Sequence, residues 1–230
     1  MSNFSTLQKH FLHLKTAFYA LFVLIFLCLG VGCKKEMDYL PYVSELRSNI
    51  LLAEQDNFSL RIYAVKKEQP YIADGIPQEC SSRTEVYLVA PEGTQNCHVN
   101  FSYNGQNYGG EMSFDNVKTE YYFACTLDIS KANELPCRIV YGDKKINCTA
   151  RSVRTEQSMS PTAILQSLQN KEADLFAAMT DKYGFTGEIY LRLIYEDAPY
   201  YYIGLIERNG NIHAFLINAE SGKILAKRKT

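Results

Sequence analysis

The sequence predicts a mainly β protein, an antiparallel sandwich followed by a smaller layer in which a helix covers an antiparallel sheet. Three observations carry this expectation. Short runs of alternating apolar and polar residues recur from Asn57 to Ala150, and such alternation marks half-buried strands. Turn-forming pairs separate several runs, at Asn104-Gly105, Gly142-Asp143 and Asn209-Gly210; these dipeptides close β-hairpins. Between Ser160 and Met179 the apolar residues instead keep helical spacing, the change of period expected where a helix packs on a sheet.

The chain opens on a leader. Ala17 to Cys33 reads AFYALFVLIFLCLGVGC without a charge, preceded only by Lys9 and Lys15 as charged side chains. A basic n-region before an apolar h-region is the pattern of an export signal. A helix of that length rises about 25 Å, at the lower limit for spanning a hydrocarbon core. Gly30, Val31 and Gly32 precede Cys33, and small residues before a cysteine resemble the lipobox of bacterial lipoproteins, with Gly30 where that pattern usually has Leu. The resemblance implies removal of the signal and lipidation at Cys33. An uncleaved N-terminal transmembrane helix and simple secretion are the alternatives. All three place the rest of the chain outside the cytoplasm, and the first two fix it to the extracytoplasmic face of the cell membrane. The expected organisation is a signal or anchor over 1–33, a tether over 34–42, a sandwich over 43–153 and an α+β domain over 154–230.

Val43 to Leu52 reads as a short helix, with Val43, Leu46 and Ile50 on one face. From Asn57 the period becomes two: Phe58, Leu60, Ile62 and Ala64 alternate with Ser59, Arg61 and Tyr63. Glu68 to Arg83 is rich in turn formers and reads as a long surface loop. Strands are expected at Glu85 to Ala90, Cys97 to Tyr103, Tyr108 to Phe114, Tyr121 to Leu127, Arg138 to Tyr141 and Lys145 to Ala150. Seven short strands without a long helix predict an immunoglobulin-like sandwich. The Trp expected of such a domain is absent.

Arg151 to Ser160 reads as a polar linker. Ser160 then serves as N-cap with Pro161 in the first turn. Ile164, Leu165, Leu168, Leu175, Phe176 and Met179 form one stripe, interrupted at Asn170-Lys171-Glu172, and Gly184 is the expected stop. Strands follow at Ile189 to Tyr195 and Tyr201 to Leu205. A type I′ turn at Asn209-Gly210 sets Leu205 opposite Ala214 and Ile203 opposite Leu216. It also places His213 on a face with Ile206 and Phe215.

Beyond Cys28 and Cys33 the chain has Cys80, Cys97, Cys125, Cys137 and Cys148. In an oxidising compartment, and without CxxC spacing, disulfides are expected rather than metal ligation. Counting outward from Gly142-Asp143 puts Cys137 opposite Cys148, within disulfide reach. Cys97 shares a face with Val99 and Phe101, and Cys125 with Phe123 and Leu127; both point inward, which suggests a second bridge. Cys80 is left over in a polar loop.

The last stretch resembles the PepSY domain, through Ile217, Asn218, Ala219, Gly222, Lys223, Ile224 and Leu225. The resemblance covers residues 160–230 and implies a helix, an antiparallel sheet and a closing strand. Asn218 stands where Asp is commoner. PepSY domains occur in propeptides of secreted metalloproteases and in membrane-associated bacterial proteins, so the resemblance implies inhibition or regulation of an exported protease. It brings no catalytic residues.

Two of the 24 basic residues, Lys9 and Lys15, belong to the leader, leaving 22 against 25 acidic ones. That balance lacks the clustered positive charge of nucleic-acid binders. Lys34 and Lys35 are expected to be solvated beside the membrane. His98 and His213 have no HxxxH or Cys/His spacing, so no metal site is expected. The chain has no GxSxG, HExxH, phosphate loop or EF-hand pattern, and Glu196-Asp197 reads as a solvated turn. Neither catalytic residues nor a cofactor are expected, and an enzyme would need a pocket gathering acids, Tyr or His from distant strands. The 17 tyrosines suit strand faces and interfaces alike. Tyr200, Tyr201 and Tyr202 are the candidate interaction surface, although alternation sends Tyr201 and Tyr202 to opposite faces. Asn57, Asn100 and Asn147 head sequons that matter only in a eukaryote. The function expected is therefore a membrane-anchored, non-enzymatic module that binds a protein or peptide.

Overall fold

Strand 1 (β1, Val43–Gln55) organises the molecule, because two hydrophobic cores meet on it. A computed structural model of the chain describes residues 37–55, 58–72, 74, 76, 78–91 and 94–230. The leader, Cys33, Lys34, Lys35 and Asn57 lie outside the described residues. A short 3₁₀ turn at Leu40–Tyr42 leads into β1. Antiparallel strands follow: β2 (Phe58–Glu68), β3 (Cys80–Val89), β4 (His98–Tyr103), β5 (Gln106–Glu111), β6 (Ser113–Asp115), β7 (Glu120–Cys125), β8 (Glu134–Tyr141) and β9 (Lys144–Ser152). Helices α1 (Pro161–Lys171) and α2 (Ala173–Ala178) come next, then a small ribbon of β10 (Thr180–Asp181) and β11 (Gly184–Phe185). The chain finishes with β12 (Glu188–Tyr195), β13 (Pro199–Ile206), β14 (Ile212–Asn218) and β15 (Ile224–Lys229).

The main sheet runs β15-β14-β13-β12-β1-β2-β3-β7-β6, and a branch β5-β4-β8-β9 returns to β1. Val43–Arg47 pairs in parallel with β12, whereas Leu51 and Leu52 pair with Ser152 and Arg151 of β9. The branch folds over the main sheet as a nearly closed sandwich. Its core includes Leu51, Leu60, Ile62, Val86, Leu88, Val99, Phe101, Leu135 and Ile139. The second core gathers Val43, Ile50, Leu191, Tyr201, Ile203 and Phe215 from strands and Ile164, Leu168 and Phe176 from helices. Ile50 belongs to one core and Leu51 to the other, as side chains on opposite faces of a strand must.

The expected helix at Val43 to Leu52 is therefore a strand, and bulges explain the misreading. Register shifts at Val43/Glu45 and Arg47/Asn49 each insert a residue. Inserted residues stretch a period of two into spacings of three and four, which imitate a helix. The bulged backbone is held by Asn49, whose amide donates to the Ala132 carbonyl at 2.8 Å and accepts from the Ser152 hydroxyl at 2.7 Å. The loop expected over Glu68 to Arg83 is shorter, because Cys80 to Arg83 already pair with Glu68 to Val65. The strand expected over Tyr108 to Phe114 is broken at Met112, whose N–H turns to the Cys97 carbonyl at 2.8 Å.

Ser160 caps α1 by accepting from the Ala163 N–H at 3.2 Å. The polar step produces two helices, separated at Glu172 with φ −118° and ψ 36°. Met179, not Gly184, closes α2, and Gly184 serves the β10–β11 ribbon. The Gly142-Asp143 turn pairs Tyr141 with Lys144 and Cys137 with Cys148, as the spacing predicts. At Asn209-Gly210 the register differs by one: Leu205 faces His213, and Ile203 faces Phe215. Glu207 N–H bonds to the Asn211 carbonyl and Gly210 N–H to the Glu207 carbonyl, both at 2.9 Å, with Gly210 at φ 87°. This is a three-residue loop with a glycine bulge rather than a two-residue turn. The extra residue takes Ile206 off the face shared by His213 and Phe215.

Candidate interaction surface

A band of stacked tyrosines and cations crosses five adjacent strands and β7 beyond them. At one end Tyr202 of β13 stacks on Tyr190 of β12, with centroids 5.8 Å apart and planes at 19°. The Arg192 guanidinium lies 4.6 Å from the Tyr190 ring centre and grips Glu45 of β1 through both carboxylate oxygens, at 2.8 and 2.6 Å. Bidentate pairing of this kind fixes orientation as well as charge. Arg47, the cross-strand neighbour of Arg192, sits 4.2 Å above the Tyr63 ring of β2. Tyr63, Tyr87 of β3 and Tyr122 of β7 then follow at centroid separations of 5.4 and 5.1 Å. Lys118 reaches over Tyr87, and Arg83 donates to the Tyr122 hydroxyl at 3.4 Å.

The strand register builds this band. Tyr87 faces both Arg61 and Tyr122 across its two ladders, and Tyr63 faces Glu85. Neighbouring side chains on one sheet face lie within reach of aromatic rings. Tyr63, Tyr87, Tyr122 and Tyr202 are half-buried, and Tyr190 is buried. Burial, followed by the charge of Glu85, pushes the Tyr87 and Tyr122 phenols up. Burial and the hydrogen bond with Tyr202 push Tyr190 up to about 12. The rings of Tyr87, Tyr122 and Tyr190 therefore remain neutral and present π-faces and hydroxyl donors. Arg47 Nε is buried and has no hydrogen-bond partner among the described residues.

Of the expected surface residues, Tyr202 joins this band, Tyr200 donates to Asp197 at 2.8 Å, and Tyr201 is a core residue. Tyr201 is fully buried, and its hydroxyl donates to the Met159 carbonyl at 3.1 Å. Tyr63, Tyr87, Tyr122 and Tyr190 were not singled out by sequence. The signal was their position on the polar side of alternating strands, which becomes informative only once strand order is known.

Beside the band lies a buried polar cluster. Glu188 is fully buried and accepts from the Ser44 hydroxyl. Glu68, also buried, accepts from the Gln78 N–H, and burial raises its pKa. Cys80 lies 3.5 Å from the Ser44 carbonyl; burial, followed by the charge of Glu68, pushes this thiol up. A thiol kept protonated is a poor nucleophile. His98 is exposed, while His213 meets the Glu207 carboxylate at 2.5 Å. Among the described residues no trio of His, Cys, Asp or Glu has metal-holding geometry.

Cys97, Cys125, Cys137, Cys148 and Cys80 are all free thiols in the structure. Cys97 is buried near the Tyr121 hydroxyl, and Cys125 is half-buried at the end of β7. Cys137 and Cys148 are direct cross-strand partners. Both also border an open concavity of about 820 Å³, together with Asn100, Ser102, Arg138 and Asn147. Its lining mixes amides and hydroxyls with Phe101, Pro136, the two thiols and a single guanidinium.

In the turn between β14 and β15, the Asn218 side chain accepts from the N–H groups of Glu220 and Ser221, at 3.1 and 2.8 Å. Gly222, at φ 64°, returns an N–H to the Asn218 carbonyl at 3.0 Å. Ile217 and Ala219 are buried and Ile224 half-buried, but Leu225 is 47% exposed, so only the first of the two closing aliphatics turns inward. Compared with models of known protein families, with curated proteins and with solved structures, the chain gives no significant match.

Proposed function

We propose that the chain is a membrane-anchored extracytoplasmic binding module, an immunoglobulin-like sandwich joined to a PepSY-like layer. It acts without catalysis by holding a protein or peptide against the tyrosine band. The observation that carries this reading is Arg47. Its Nε is a buried donor without an acceptor among the described residues, between the Tyr63 ring and Arg192. Buried donors are nearly always satisfied, so an unmet one favours an acceptor brought by a partner. A peptide carbonyl or carboxylate supplies that acceptor, and the tyrosines supply rigid area with low entropy cost, as interface anchors do. The Asn218–Gly222 turn supports a second reading of the same module, in which the partner is an exported protease and the PepSY-like layer regulates it.

A photo-crosslinking amino acid placed at Tyr122 or Tyr202 of the full chain, in its native membrane, tests both readings. The expected result is one protein captured at these positions and not at Tyr183, which is 85% exposed and outside the band. Purified, that protein loses at least about tenfold in affinity with Tyr87→Ala, the size of effect typical of an interface anchor. Equal capture at Tyr183, or unchanged affinity, removes the band as the binding surface. If the captured protein is a protease slowed by the chain, the regulatory reading stands; a partner without protease activity eliminates it.

A further inference from the structure

We propose that Cys137 and Cys148 form a thiol–disulfide exchange site, with Cys148 as the attacking sulfur and Cys137 as the resolving one, acting on peptide-type disulfides. The inference is independent of the tyrosine band. It rests on register, on unequal burial and on an open sheet edge.

Register comes first. Tyr141 and Lys144 flank the two-residue turn, and the pairs Ile139–Ile146 and Cys137–Cys148 follow in steps of two. Such pairs share the hydrogen-bonded type of the turn pair, with Cα atoms about 5.5 Å apart, inside the range that a disulfide spans. As directly opposed residues of an antiparallel pair, Cys137 and Cys148 carry both side chains on one face of the hairpin. No backbone rearrangement is needed to bring them together.

The pair is unequal. Cys137 is 5% exposed and its sulfur lies 3.3 Å from the Leu135 carbonyl, whereas Cys148 is half-buried. Beyond β8, the pairing of β9 is with β1, at Arg151 and Ser152. From Lys144 to Ala150 the outer edge of β9 has no partner strand among the described residues, and Cys148 stands at this edge. The neighbouring Cys148 sulfur, followed by burial, pushes the Cys137 thiol up, and the neighbouring Cys137 sulfur pushes the Cys148 thiol down. A reachable sulfur with thiolate character beside a buried thiol is the arrangement that exchange chemistry requires. The edge itself offers unpaired backbone groups to an extended peptide.

The reaction balances without a further co-reactant. The Cys148 thiolate attacks one sulfur of R–S–S–R, forming a mixed disulfide and releasing R–S⁻. Cys137 then loses its proton, and its sulfur attacks that of Cys148, expelling the second R–S⁻ and closing the Cys137–Cys148 bond. One disulfide is reduced to two thiols while the protein dithiol is oxidised, and the reverse sequence oxidises a substrate dithiol.

Glutathione disulfide, a peptide-type disulfide, tests this on the reduced full chain, with acid quenching, intact mass and peptide mapping. The wild-type chain is expected to close the Cys137–Cys148 bond, and Cys137→Ser to accumulate a mixed disulfide at Cys148. Cys148→Ser should form the adduct at Cys137 at least about tenfold more slowly, because the remaining thiol is buried and protonated. Equal rates in the two variants, or a wild-type chain that leaves both thiols free, overturn the proposal. Alkylation of the unmutated chain by iodoacetamide gives a check independent of variant folding. Cys148 should react faster than Cys137, with a pH midpoint below the ordinary thiol value of about 8.5; equal rates again overturn the assignment.

Discussion

The two cores that meet on β1 are covered in different ways. In the first, β8, β9 and β4 fold over β1, β2, β3 and β7, so strands cover strands and the filling is mostly aliphatic. In the second, helices cover the sheet, and Tyr39, Phe176 and Phe185 interlock with centroids 4.7 to 6.0 Å apart. The sandwich needs its covering strands in one register, because a slip of one residue exchanges its inner and outer faces. A helix can turn or slide on its stripe with less consequence. β1 must satisfy both regimes, and its two bulges allow a single strand to pair with β12 and then with β9. The tyrosine band crosses this same strand, so the candidate surface depends on a register that both cores fix.

Deleting Ser48 should produce the largest effect. Ser48 is the residue inserted between Arg47 and Asn49. Without it, Val43–Arg47 or Asn49–Gln55 must shift by one, turning either Glu45 away from Arg192 or Leu51 away from its core. We expect more than about 4 kcal/mol of destabilisation, enough to abolish folding. Ser48→Ala should change stability by less than about 0.5 kcal/mol, because length rather than the hydroxyl sets the register. Chemical denaturation of both variants separates these outcomes, and a folded deletion variant would show that β1 does not couple the cores by register.

Truncation within each core comes next. Leu51 and Leu168 are both fully buried, one in each core. Leu51→Ala and Leu168→Ala should each cost about 2–5 kcal/mol. Hydrogen exchange in β8–β9 and in β13–β14 reports the two halves separately. Because β1 is shared, both variants should accelerate exchange in both halves. If Leu168→Ala changes β13–β14 alone, the second core opens as an independent unit and the comparison sharpens into two foldons.

These contrasts also explain which parts were legible in the sequence. Strands with one buried face, such as β2 and β8, follow from alternation, and the Gly142-Asp143 turn fixed the Cys137–Cys148 register because its two-residue geometry tolerates no alternative. The Ser160 cap was equally readable, whereas the polar step at Asn170-Lys171-Glu172 allowed either one helix or two, and the chain divides at Glu172. β1 was not, because both its faces are buried and its bulges corrupt the period. The Asn209-Gly210 hairpin failed for a related reason: the same dipeptide serves a two-residue turn or a three-residue loop, and tertiary packing of Phe215 selects the latter. The band was illegible because Tyr63, Tyr87 and Tyr122 lie far apart in sequence and meet only through the β2-β3-β7 order.

The smallest effect belongs to that hairpin. The contact with His213, then those with Asn209 and Asn211, holds the Glu207 carboxyl down at about 2, below the usual carboxylate range. A group depressed in the folded state contributes stability above its unfolded pKa, about 4.3 for Glu, and loses that contribution as the pH falls through the folded value. The window is therefore about pH 4 to 2, and the side chain is 25% exposed, so the magnitude should stay below about 1 kcal/mol. The difference in denaturation midpoint between wild type and Glu207→Gln should shrink across this window and remain constant above pH 5. A difference that does not change with pH would mean that Glu207 holds the three-residue loop by hydrogen-bond geometry alone. Its charge would then have no part in choosing the register that puts His213 beside Leu205.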